Sequence, residues 1–230
     1  DRRTSRGLGD VYKRQVEPLT IGKDIYDVES IWHNNYSSKR ERGHYTGFYI
    51  DAICGVDIAI WDAIGKSLNM PTCKAMGGAH RKSVALYNGI GGTEPEEVAD
   101  QAEWSVSKGY KFVKMHLKEN LEKDIEIARK VRERVGDSIG IMIDVHMGFD
   151  TFNVIKLGKE LEKLNLLWIE SPSDPTDIPG LCEISRSLDI PIANGEWTRT
   201  KYEMREIFEK RAYDISMPDI ARTGLTGGKQ

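Results

Sequence analysis

From about residue 83 onward the chain alternates short apolar runs with amphipathic stretches, and this constrains its fold more than any other feature. The runs fall at 84–90, 112–117, 139–145, 166–169, 190–193 and 215–217, each bounded by Gly, Pro, Asn or a charged residue. Helical periodicity covers 95–108, 119–135, 151–164, 178–188 and 199–210 between them, and 24–36 and 48–68 upstream. The segment 48–68 carries Ile53, Val56, Ile60 and Ile64 along one helical stripe. Runs this short and this apolar are strands buried on both faces, which means a parallel sheet covered by helices. Six such strands at spacings of about 23 to 28 residues suit a (β/α)8 TIM-like barrel. A doubly wound sheet gives a similar pattern. Thr93 with Glu96 reads as a capping box. Lys108-Gly109 and Val135-Gly136 read as helix stops.

Composition excludes several classes. Thirty-three Lys and Arg against 36 Asp and Glu leave a net charge of -3, which argues against a nucleic-acid partner. No apolar run approaches the ~18 residues of a membrane span. The richest stretch, 52–64, is interrupted by Asp57 and Asp62. Three scattered cysteines, Cys54, Cys73 and Cys182, rule out a disulfide scaffold or a zinc ribbon and point to a reducing compartment, the cytoplasm. The first 15 residues are basic and aperiodic, and 10–15 resembles the translated end of a sequencing-library transposon, so 1–15 is read as a non-native tail. The closing GLTGGKQ fails as a phosphate loop, because Thr223 and Gln230 stand where that pattern needs Gly and Ser or Thr. Six strands leave a barrel two short, so the chain is expected to be a piece of a longer reading frame.

The chemistry concentrates at the ends of the apolar runs. Asp144 follows IGIMI, Glu170 follows LLWI and Glu196 follows PIANG, and 26 residues separate each acid from the next. One βα repeat apart, all three stand at the C-terminal ends of successive strands, the rim on which barrel sites lie. Three converging carboxylates repel one another unless a cation sits among them. An oxygen-only donor set favours a hard ion, Mg2+ above all. A single acid at a strand end is more often a helix cap, and only the register of three argues for metal. Lys114 and His116, two apart in FVKMHL, point to one side of their strand and replace residues expected to be apolar. His146 lies two residues past Asp144, and Asp219 ends the sixth run, 23 residues after Glu196. His33, His44 and His80 lie away from strand ends and read as surface residues.

At these motifs the sequence resembles the enolase superfamily, in its mandelate racemase/muconate lactonizing enzyme branch. The likeness covers roughly residues 17–230 and rests on AICGVDIAIWDAIGKSLNMPTCKAMGG, GYKFVKMHL, IDVHMGF, LLWIESP, PIANGE and MPDIARTGLTGG. It implies part of an α+β capping domain at 16–80, followed by an enolase-type barrel at 81–230 that stops after about six strands. It also implies Mg2+ on Asp144, Glu170 and Glu196, and commonly a homo-oligomer. Lys114 matches the first lysine of the family's strand-two Lys-x-Lys, and His116 replaces the second. Asp219 stands where the cycloisomerase and dipeptide-epimerase groups carry a lysine, as in the racemase and sugar-dehydratase groups. There such an Asp orients a histidine base on strand seven. Asp144 with His146 resembles the acid-sugar dehydratases of the galactonate type, in which the histidine acts as general acid on the departing hydroxyl. Ser171 replaces the second acid of the family's EEP run. The implied activity is a Mg-dependent hydro-lyase acting on a sugar acid. The alternatives are a racemase or epimerase of a 2-hydroxy acid and a noncatalytic relative. Because the chain ends at Gln230, before strand seven, the isolated 230-residue chain is expected to be inactive.

Overall fold

A computed structural model describes residues 9–117 and 120–230. Two segments read from the sequence reach beyond them, at 1–8 in the tail and at Glu119 in the helix beginning there. The regular elements are helices α1 (Val28–Arg40) and α2 (Phe48–Ser67), then β1 (Asn88–Gly91), α3 (Pro95–Ser107), β2 (Phe112–His116), α4 (Leu121–Val135), β3 (Gly140–Asp144), α5 (Thr151–Leu161), β4 (Trp168–Glu170), α6 (Ile178–Ser187), β5 (Ile192–Asn194), α7 (Lys201–Lys210), β6 (Ile215–Ser216) and α8 (Ile220–Lys229). The chain divides into two compact units. One holds the described residues up to Ser83 with Glu196–Arg205 and Pro218–Gln230, and the other holds Val84–Gly195 with Glu206–Met217.

The second unit contains one parallel sheet whose strands run in the order β1-β2-β3-β4-β5-β6. An unbroken sequential order belongs to a barrel-type (β/α) repeat, because a doubly wound sheet reverses direction at its switch point. Each strand is short and apolar because helices cover it: Val113, Met115, Ile141, Ile143, Ile169 and Ile192 are fully buried. They pack with Ile127, Ala128 and Val131 of α4 and with Val154, Leu157 and Leu161 of α5 in one core. Each such aliphatic side chain contributes roughly 1.5–3 kcal/mol by leaving water. The register pairs His116 with Asp144 and Asp144 with Glu170, so polar residues of three neighbouring strands end level with one another.

Local signals set the helix ends. Asn120, Asp150 and Asp177 each accept a backbone N–H at the start of α4, α5 and α6. At the end of α3, Tyr110 N donates to Ser105 O and Gly109 N to Val106 O, with Gly109 at φ +93°, a left-handed stop only glycine adopts without strain. The Thr93–Glu96 capping box does not form. Glu94 takes the cap position with Pro95 behind it, and the Glu96 carboxylate is drawn instead to Lys130 and Arg134. Below the sheet, the Arg132 guanidinium donates to four carbonyls, those of Gly136, Ile139, Leu164 and Asn165, at 2.7–3.1 Å. One planar fork thereby ties the exit of α4 to the loop that enters β4.

Among the described residues of the first unit, the regular elements are helices. Residues 9–16 are helical too, and Val16 is fully buried in a cluster with Trp32, Tyr36, Tyr49, Ile50 and Ile53. A second cluster joins Val28 and Ile31 of α1 to Ile60 and Ile64 of α2. Helix α8, kinked at Gly224 (φ +68°), packs on α2. There Asp57, only 2% exposed, accepts hydrogen bonds from the Thr226 amide at 2.9 Å and from the Thr226 hydroxyl. No helix of the described residues is long and apolar enough to cross a membrane.

Candidate functional site

The C-terminal ends of β2, β3 and β4 bring Lys114, His116, Asp144 and Glu170 into one cluster. The alternation of strand side chains sends Met115 into the core, fully buried, and turns Lys114 and His116 to the other face. Lys114 Nζ donates to both Glu170 carboxylate oxygens at 3.0 Å and lies 3.5 Å from Asp144 Oδ2. All three side chains are buried, at 9%, 5% and 4% exposure for Lys114, Asp144 and Glu170. His116 stands at the solvent edge, its Nδ1 3.3 Å from the same Asp144 oxygen. Two aromatics complete the surroundings. Trp168 Nε1 lies 3.4 Å from Glu170 Oε2, and the Tyr87 ring centroid lies 5.3 Å from Lys114 Nζ. Trp168 was findable, because it stands two residues before Glu170 on one strand. Nothing in the pattern around Tyr87 signals its role.

Burial by itself lowers the Lys114 pKa. The Glu170 hydrogen bonds and charge, with further help from Tyr87 and Asp144, outweigh that and hold its pKa above the usual lysine value. Lys114 is therefore an ammonium here, a cation and not a base.

His146 lies in the turn after β3 with an exposed side chain, and its backbone N–H donates to Asp144 Oδ1 at 2.9 Å. The turn is strained. His146 and Met147 have φ of +44° and +59°, and Ser171 beyond β4 has +48°. Hydrogen bonds from Val145 N to Glu170 O and from Met147 N to Ser171 O carry the β3–β4 pairing past the strands and fix these conformations. Non-glycine residues in this region cost of order 1–3 kcal/mol each and cluster where chemistry needs a set geometry. Two further buried polar atoms at strand ends, Asn194 Nδ2 and Ser173 Oγ, have no partner among the described residues, and neither was singled out by sequence.

Glu196 and Asp219 belong to the other unit. Glu196 lies in the turn after β5 and is partly buried. Asp219 caps α8, with Oδ1 accepting from Ala221 N at 2.8 Å and Oδ2 3.5 Å from Arg222 Nε. Among the described residues no three or more His, Cys, Asp or Glu side chains are gathered into a metal cluster. What is present still fits a hard dication. Asp144 and Glu170 offer only carboxylate oxygens, both are buried, and both already converge on one positive charge.

A sequential parallel (β/α) sheet with acids level at its C-terminal edge defines a barrel-type α/β protein. The comparisons agree. The family models for the enolase C-terminal domain-like region and the mandelate racemase/muconate lactonizing enzyme N-terminal domain match residues 97–230 and 5–77, and the chain belongs to this family. The N-terminal match starts inside the 1–15 segment. Similar proteins include the L-talarate/galactarate dehydratase of Salmonella typhimurium, 32% identical across 93% of this chain and 54% of that protein. The arabinonate dehydratase of Saccharolobus solfataricus is 32% identical over 91% of this chain and 57% of its own length. An N-succinyl-L-Arg/Lys racemase of Bacillus cereus is 33% identical over 88% and 53%. A racemase from Streptomyces coelicolor A3(2), solved with bound magnesium, superposes with a TM-score of 0.90 at 26% identity, over 97% of this chain and 63% of that one. The chain thus spans little more than half the length of the curated relatives it matches.

Proposed function

We propose that the protein carrying this chain is a Mg2+-dependent dehydratase of a sugar acid. The supporting observation is the buried Lys114–Asp144–Glu170 cluster on a rim of parallel strands, in a chain similar to two acid-sugar dehydratases. A proton α to a carboxylate is weakly acidic, because its removal places two negative charges on one small group. Mg2+, held by Asp144 and Glu170, would supply the positive charge that offsets this build-up. Lys114 adds an ammonium to the same acid-lined pocket. The α C–H proton passes to a base, which the family resemblance gives as a histidine oriented by Asp219, and its electron pair enters an enediolate. His146 then donates a proton to the β-hydroxyl as its C–O bond breaks, so that water leaves. The resulting enol tautomerises to a 2-keto-3-deoxy acid. His116, against Asp144, lies at the solvent edge of the same cluster and is the second candidate for proton transfer.

An acid-sugar screen with magnesium, followed by keto-acid detection, tests the class. The expected variant result is specific: His146→Asn abolishes water elimination and spares deuterium exchange at the α carbon. Loss of both would show that His146 is not the acid. Exchange without water loss in the unaltered protein would favour the racemase reading, to which the Bacillus cereus relative belongs.

A further inference from the structure

Two buried carboxylates paired in register at the ends of β3 and β4 repel each other, and burial without a cation is costly for both. Lys114 Nζ touches both Glu170 oxygens at 3.0 Å and lies 3.5 Å from Asp144 Oδ2. Asp144 Oδ2 also meets His116, and its Oδ1 takes the His146 amide. Every carboxylate oxygen of the pair is thus already engaged by a donor, and the one buried side-chain cation among those donors is Lys114. These are the oxygens that the magnesium reading assigns to the metal.

We propose that Lys114 is the resident counter-ion of the Asp144–Glu170 pair in the metal-free protein, and that magnesium uptake displaces it. The inference rests on the magnesium reading of the same site and adds a competition built into β2. The ammonium does two opposed things. It keeps the metal-free rim folded by neutralising one of two buried charges, and it weakens the metal by occupying its oxygens and repelling it. Removing the ammonium therefore separates the two effects. Without it the metal-free protein loses stability, while magnesium meets bare carboxylates and binds more tightly.

The test compares the unaltered chain with Lys114→Met and with the double variant Lys114→Met/Glu170→Gln, by thermal unfolding in EDTA and in MgCl2 and by calorimetric titration of MgCl2. Lys114→Met is expected to lower the metal-free midpoint by several degrees. It should also bind magnesium roughly tenfold or more tightly and recover its midpoint when magnesium is added. The double variant, with one carboxylate charge removed, should regain much of the metal-free midpoint and lose the magnesium response. A Lys114→Met protein that needs magnesium to fold at all would be the same result in stronger form. If magnesium binds the unaltered chain but Lys114→Met binds it no more tightly, the competition is overturned while the metal reading stands. If neither protein takes up magnesium, the metal reading fails and the competition with it.

Discussion

Replacing Asp57 separates the worth of a buried hydrogen-bonding group from the cost of its charge. Asp57 is buried on α2, accepts from the Thr226 amide at 2.9 Å and from the Thr226 hydroxyl, and is further engaged by the Leu225 backbone. Trp61 Nε1 donates to Thr226 Oγ1 at 2.9 Å, and Cys54 Sγ to Arg222 O at 3.0 Å, so α8 is tied to α2 around this one carboxyl. Its backbone comes close as well: a Cβ at Gly224 would stand 2.8 Å from Asp57 Oδ2. Burial pushes the Asp57 pKa up, and the Thr226 and Leu225 hydrogen bonds only partly offset that.

The sign follows. An acid whose folded pKa is raised favours the protonated native state. Its contribution is fully present below the unfolded value, near 3.8, and is lost as pH rises through the folded value. Once ionised, the carboxylate is a burden that the hydrogen bonds offset only in part. Asp57→Ala deletes the acceptors of two or three buried donors, at about 1–3 kcal/mol for each donor left unpaired, or about 2–9 kcal/mol in all. Asp57→Asn keeps an acceptor for the Thr226 amide and removes the charge, so it should stay within about 1 kcal/mol of the unaltered chain at pH 7. Relative to that variant the unaltered chain should weaken as pH rises from near 3.8 through the folded pKa and then level off. Hydrogen exchange at the Thr226 amide reads this locally, with Asp57→Ala accelerating it by roughly 30-fold to 1,000-fold or more. Urea unfolding reads it globally. If Asp57→Asn costs as much as Asp57→Ala at pH 7, the charge itself holds α8 and the burial argument is wrong.

Other expectations are sharper for being opposed. Arg132→Met strands four carbonyls that share one guanidinium and should cost about 3–5 kcal/mol, read as a fall in the urea midpoint. Arg134→Ala removes contacts to Glu96, Asp100 and Glu103, which are all exposed, and should cost under about 1 kcal/mol, shrinking further in high salt. Gly136→Ala forces a side chain into φ +71° at the α4 stop and should cost about 1–2 kcal/mol in the same assay.

The apolar runs announced the strands because burial on both faces leaves no room for polar residues, and the sheet order followed from the repeat. Apolar content overran pairing by a residue or two at most strands and furthest at the start, where Val84 and Leu86 stay exposed and β1 begins at Asn88. Turn chemistry was legible where it depends on backbone freedom, as at Gly109 and Gly136. It was misread at Thr93–Glu96, where a side chain had a better partner across α4. Pairings between distant residues left no trace in local pattern. Asp57 and Thr226 are 169 residues apart, and in a helix reading Asp57 was merely a break in an apolar stretch.

The acids show where this kind of reading stops. Equal spacing says that Asp144, Glu170 and Glu196 each follow a strand, and for the first two the register makes that literal. A period of one βα unit carries no information about what stands between the side chains. Lys114 does stand between two of them, and sequence marked it as a polar residue on a strand that should have been apolar and as a match to a family lysine, not as their partner. A lysine buried against two carboxylates satisfies the electrostatic demand that, from sequence, seemed to require a metal. A buried ammonium and a hard dication would answer the same electrostatic need, which is why the pattern of acids alone does not distinguish them.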